Sequence, residues 1–222
     1  MFSQVEITGH SSLLTAPVNG GGTYRISSGE ILGQVGSVVA IDGSWRALPA
    51  GATPPEGAPV RTIQAVTVAD SYVTRGAPTR QVVDQSIGRL ALRPVTHPNQ
   101  ILVNQPFHVQ ALFDGAPHAN AALVIYRDGQ PETDQSTFVA TDAAGNATIT
   151  VGAPGNYVLA ARHVADAPAG AAAEVQSYTT TLVFEALTEL PPIVEIQEAV
   201  EEEPRRPPPR RRPPRDPRVG RM

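Results

Sequence analysis

The sequence predicts an all-β chain, and three observations carry that prediction. A 41% hydrophobic composition is interrupted by 22 Pro and 19 Gly in 222 residues, too often for long helices. The runs between interruptions alternate apolar and polar residues or are β-branched, the pattern of half-buried strands. Turn signals such as Asp-Gly and Pro-Gly stand between them. The length accommodates two small domains. The division expected is an N-terminal β-domain over 1–84, expected to be incomplete, an immunoglobulin-like seven-strand sandwich over 85–187, and a tail over 188–222 that is acidic and then Arg/Pro-rich.

In the first half, TYRISSG, GQVGSVVAIDGSWRALPAG and VRTIQAVTVADSYVTRG read as strands closed by Gly, Pro or Asp-Gly. Asp42-Gly43 supplies the two positive φ angles of a type I′ hairpin turn. The stretch LPAGATPPEGAP is a loop.

The second half is more regular. IGRLALRPV, PFHVQALF, NAALVIYR, QSTFVA, NATITV, NYVLAARH and QSYTTTLVFEAL give seven strands at sandwich spacing. Phe107, Val109, Ala111 and Phe113 share one face, whereas His108 and Gln110 fall on the other. Within ATDAAGNATITVGAPGNYVLAARH, Asp142 caps its own turn, Gly145 supplies a left-handed residue and Pro154-Gly155 makes the next reversal. These are hairpin turns rather than a phosphate loop. After Leu190, IVEIQEAVEEE has the spacing of a short amphipathic helix through Ile193, Ile196 and Val200, and PRRPPPRRRPPRDPRVGRM is expected to be extended or disordered.

Composition excludes several chemistries. There is no cysteine, and all 17 basic residues are Arg, so thiolate and lysine chemistry are both ruled out. Eight of those Arg lie between Arg205 and Arg221, leaving an acidic body with no basic stripe for specific nucleic-acid binding. The Arg/Pro tail is the segment expected to contact an anionic surface, with Glu201–Glu203 partly neutralising it. No run is long and apolar enough to span a membrane. The opening MFSQVEITGHSSLL lacks the charged and apolar regions of a signal peptide. No G-x-S-x-G elbow is present, and the expectation is a protein that is not an enzyme.

Histidine is the remaining soft ligand, at His10, His97, His108, His118 and His163, with no H-x-x-x-H or H-E-x-x-H pair. In an up-and-down reading, the strand over 106–113 puts His97 at one end of the sandwich and His118 at the other. His118 then shares its end with the Asp142 turn and with His163. Two imidazoles and a carboxylate suit nickel, cobalt or zinc, so His118, His163 and Asp142 are the candidate metal ligands. No other cofactor is expected. His97 is read as shaping a turn with Pro98, and His108 as an outward-facing strand residue. Asp128, Glu132 and Asp134 cluster acidic oxygens on a hairpin without EF-hand spacing. Trp45 and Tyr24 are candidate stacking residues, although the lone Trp reads more simply as a core anchor.

The blocks GTYRI, Gly43-Ser44-Trp45-Arg46, TVADSYVTRGAPT, RPVTHPN, FDGAPHANAALVIYRDG, TDAAGNATIT, PGNYVLAARH and YTTTLVFE occur in this order from about residue 20 to 186. Together they resemble the bacterial domain-of-unknown-function family forty-one ninety-eight. The resemblance implies an exported, sandwich-rich protein in the periplasm or outside the cell, and an accessory role beside a nickel or cobalt uptake complex in the membrane. It makes His97 a second candidate ligand. The family usually opens with a signal peptide and an early His segment, and this chain shows neither. The competing expectation is a structural or adhesive module that self-assembles or packs on other subunits.

Overall fold

The computed structural model describes residues 4–9, 12–130 and 137–194. The tail from 195 onward, His10, Glu132 and Asp134 lie outside the described residues. So does most of the segment expected to form the amphipathic helix; residues 191–194 are irregular.

No described residue is helical, so among the described residues there is no helix long and apolar enough to cross a membrane. The strands are β1 (Gln4–Ile7), β2 (Ser12–Thr15), β3 (Gly22–Ser27), β4 (Ile31–Ile41), β5 (Ser44–Leu48), β6 (Val60–Arg75), β7 (Leu90–Pro94) and β8 (Ile101–Leu102). They continue as β9 (Phe107–Phe113), β10 (Ala116–Pro117), β11 (Ala122–Arg127), β12 (Phe138–Ala140), β13 (Asn146–Ile149), β14 (Gly155–Asp166) and β15 (Val175–Leu187).

All seven expected strands of the second half form. One sheet holds β7, β9 and β13; the other holds β12, β11, β14 and β15 in that order. The chain thus crosses between sheets from β9 to β11, from β12 to β13 and from β13 to β14, as in an immunoglobulin-like sandwich, instead of running up and down in a single layer. Between the sheets, Phe107, Val109 and Ile149 meet Leu123, Leu159 and Leu182, each at most 2% exposed. Each such side chain contributes about 1.5–3 kcal/mol by leaving water. The Phe184 ring lies 5.1 Å from Phe107 and stacks on Tyr157 at 5.5 Å. Tyr157, near the start of β14, donates its hydroxyl to the Ala153 carbonyl at 2.8 Å. That is the tyrosine-corner arrangement of such sandwiches.

The first half does not close on itself. Asp42 and Gly43 both have positive φ and join β4 to β5 in the expected hairpin. One edge of β6 takes β4 and then β3, both antiparallel. The other edge pairs in parallel with β15, from Ile63↔Val175 to Ser71↔Val183. Strands on the two sides of residue 84 therefore belong to one nine-stranded sheet. Val66 and Tyr72 of β6 join the sandwich core, while β4 and β5 extend outward as a wing with Ile31, Leu32, Val35 and Trp45 exposed.

Candidate functional site

Two hairpin ends build one rim of the sandwich. β9 ends at Phe113, the chain turns through Asp114-Gly115, and the His118 amide donates back to the Ala111 carbonyl at 2.9 Å. Thr141 donates its hydroxyl to the His118 carbonyl at 2.7 Å. In the opposite sheet, β14 carries His163 opposite Tyr178 of β15. The imidazoles of His118 and His163 meet with centroids 4.4 Å apart and planes at 75°. Phe113 touches His163 edge to face at 4.4 Å and Tyr178 at 5.4 Å.

The sequence reading missed the charged half of this cluster. Arg89 grips Asp114 with Nε and Nη2, each 2.6 Å from a carboxylate oxygen. Its Nη1 donates to the Tyr178 hydroxyl at 2.5 Å, and the guanidinium lies 4.8 Å from the Phe113 ring. The Asp114 hydrogen bonds push the Arg89 pKa up and the Asp114 pKa down. Phe-Asp-Gly-Ala-Pro reads as a plain turn, and nothing in sequence connects it to an Arg in a preceding loop.

Burial lowers the His163 pKa, assisted by the neighbouring His118 and Arg89 charges and opposed by Asp114. A neutral ring at physiological pH keeps a nitrogen lone pair. Neither imidazole of the pair is hydrogen-bonded among the described residues. The third expected ligand does not join them. Asp142 Oδ1 accepts the amides of Asn146 at 2.8 Å and Ala144 at 2.9 Å, bonds that hold its pKa below the usual carboxylate range. Among the described residues no group of three His, Cys, Asp or Glu side chains is placed to hold a metal ion. The two imidazoles could supply at most two nitrogen donors to a metal ion, with no third protein ligand beside them among the described residues.

His97 is elsewhere and is not a free ligand. It is 7% exposed. Its Nδ1 accepts the Asn99 amide at 3.2 Å, so in the neutral ring Nε2 carries the proton. That Nε2 lies 3.2 Å from the Thr79 carbonyl, to which it donates, and 3.0 Å from Thr23 Oγ1. The Gln100 amide donates to the His97 carbonyl at 2.9 Å, closing the expected turn. Burial lowers the His97 pKa against the opposing Thr79 hydrogen bond, with the Arg80 charge lowering it further. As pH falls through the unfolded value of about 6.5, the unfolded chain therefore binds more protons than the folded one, and stability is lost as the pH is lowered. Urea midpoints should drop from about pH 7.5 to about pH 5.5, with His163 acting in the same direction. His97→Gln should flatten that slope while lowering the midpoint at the higher pH. An unchanged slope in this variant would remove His97 as its source.

His108 faces outward as expected, its Nδ1 3.1 Å from Thr148 Oγ1. Asp128 lies in the turn after β11. Tyr24 exchanges hydrogen bonds with Gly20 through its hydroxyl. It pairs with Val73 at one end of β6, whereas Trp45 lies beside the other end, so the two do not share a stacking face. Trp45 is 51% exposed and is not a core anchor.

A family profile described as "Domain of unknown function (DUF4198)" matches residues 6–165. No curated protein matches the chain. Among solved structures, a "D0-D1 domain of Intimin" is similar at 14% identity, covering 78% of this chain and 88% of that one, with a TM-score of 0.24. The profile match extends from β1 through the wing and the β9–β10 rim into the last residues of β14, and includes His118 and His163. The chain belongs to the DUF4198 family.

Proposed function

We propose that this chain is a noncatalytic accessory module that acts outside the cytoplasm and offers a transition-metal ion an open contact at His118 and His163. The observation that supports this reading is the 4.4 Å approach of the two imidazoles from opposite sheets. A nickel, cobalt or zinc ion would take nitrogen donors from both rings after one ring turns from its edge-to-face position. Water or a partner's ligands would fill the remaining positions. Such a site loads and releases its ion readily, which suits handing a metal on better than storing it. The nearby Arg89 is neutralised by Asp114, so the rim does not present an uncompensated cation to the incoming ion.

Isothermal titration of the chain with Ni²⁺, Co²⁺ and Zn²⁺ tests the reading. Micromolar binding is expected for at least one ion, weakened at least about tenfold by either His118→Ala or His163→Ala. Binding that survives both substitutions, or no binding at millimolar metal, would overturn the proposal.

A further inference from the structure

Residues directly opposite in a sheet share a face, as do residues two apart along a strand. The register Trp45↔Ala40, Val38↔Arg61, Ile63↔Val175 and Val175↔Asp166 therefore projects Trp45, Val38, Ile63 and Asp166 from one face of five neighbouring strands. Val164, two residues before Asp166, joins them. Together they line a groove of about 510 Å³, within the range of small-ligand sites.

The groove combines an aromatic platform with a balanced polar rim. Trp45 is 51% and Val164 58% exposed, and Val38, Ile63 and Val175 line the groove with them. The Trp45 indole N–H has no hydrogen-bond partner among the described residues. At the rim Arg61 Nη2 meets Asp166 Oδ1 at 2.7 Å, with side chains 37% and 83% exposed. A second carboxylate, Glu174, is occupied by the amide and hydroxyl of Thr62.

These features select among occupants. A purely apolar partner would bury the Arg61–Asp166 pair without replacing its lost hydration, a net cost. An anionic ligand would gain no net attraction, because the Asp166 charge cancels that of Arg61. An uncharged polyhydroxylated ring fits both halves. Its C–H face lies on the indole, and hydroxyls around its edge donate to the carboxylate and accept from the guanidinium and the indole N–H.

We propose that the groove around Trp45 binds a neutral oligosaccharide, with one sugar ring stacked on the indole. This groove lies on the other face of β14 from His163, although Arg89 of the rim reaches the Asp166 carbonyl at 3.4 Å, and the proposal does not depend on the metal reading.

Because the chain has a single Trp, its fluorescence reports on this groove alone. The whole chain should be screened on an array of neutral and charged glycans, then titrated with cellotetraose, maltotetraose and chitotetraose while that emission is followed. The expected result is a saturable emission shift with at least one neutral sugar and a preference for neutral over sialylated or sulfated glycans. Trp45→Ala, read by calorimetry, should weaken binding at least about tenfold, and Asp166→Asn should weaken it several-fold. Both positions are exposed, so thermal unfolding should be little changed. Val164→Glu provides a second block of the groove that leaves Trp45 in place. Absence of a saturable response across the array and the three sugars would overturn the proposal. So would binding unaffected by Trp45→Ala, or emission that changes only with protein concentration, which would mark the groove as a contact between copies.

Discussion

Asp70→Ala should destabilise the fold by about 3–5 kcal/mol, one of the two largest single-site effects expected in this chain. Asp70 on β6 forms an ion pair with Arg25 on β3, and the two side chains are only 6% and 9% exposed. Arg25 also donates Nη1 to the Gln85 carbonyl at 2.6 Å, and its guanidinium lies 5.8 Å from the Tyr72 ring. The pair is incompletely satisfied, because Arg25 Nε and Asp70 Oδ1 have no hydrogen-bond partner and are buried. Two consequences follow from that arrangement. Removing the carboxylate leaves a guanidinium in a low-dielectric site with one carbonyl for company, so the loss is large. Replacing both partners by apolar residues, as in Arg25→Met with Asp70→Leu, removes the orphaned atoms along with the charges and should return most of the lost stability. Urea unfolding of the wild type, both single variants and the double variant forms the cycle that reads this coupling. A loss below about 1 kcal/mol for Asp70→Ala would show that water reaches the pair and that its burial is nominal.

The strands were legible from sequence because alternation and turn chemistry are local. The His118–His163 juxtaposition was legible for a subtler reason. The strands do not run up and down in one layer, yet each reversal of an antiparallel chain changes the end of the sandwich at which a residue sits. His118 after β9 and His163 late in β14 therefore reach the same rim whichever sheet each strand joins. The same parity brings the Asp142 turn to that end, but it cannot say where a carboxylate points, and the turn's own amides claim Asp142. Parallel pairing of β6 with β15 left no sequence signal, since parallel neighbours share no connecting turn. That pairing creates the wide sheet on which Trp45 and Asp166 face the same groove. It also explains why a lone Trp that reads as a core anchor is half exposed: β5 lies out on the wing, beyond the sandwich core. Arg25 and Asp70 gave no warning either. A charged residue in an alternating strand normally marks the wet face, and these two are buried as an ion pair with each other.

Gly145→Ala should cost about 3 kcal/mol or more and should disturb the histidine rim as well as the fold. Gly145 has φ of 75°, a conformation that strains any L side chain. Strain alone would not single it out, because Gly115 in the neighbouring hairpin has φ of 76°. The difference lies in what a methyl would meet. At Gly115 an added Cβ has nothing within 4 Å, whereas at Gly145 it would lie 2.5 Å from the Ala111 carbonyl oxygen and 3.0 Å from the His118 amide nitrogen. Both obstacles are backbone and cannot rotate away. They are also joined to each other and to the glycine: His118 N–H donates to Ala111 O at 2.9 Å, and Ala111 N–H donates to Gly145 O at 2.8 Å. Relieving the clash must lengthen or break this pair of bonds, each worth about 0.5–1.5 kcal/mol, in addition to the backbone strain. Gly115→Ala carries the strain without the clash and is the matched control, expected near 1 kcal/mol. Urea unfolding of the two variants separates the terms, and imidazole NMR shifts of His118 and His163 report the rim. If His118 is held in place by this close approach, Gly145→Ala moves both imidazole signals and Gly115→Ala moves them less. Equal destabilisation with unmoved imidazole signals would mean that β9 yields to the methyl, and that the approach at Gly145 is not what sets the position of His118.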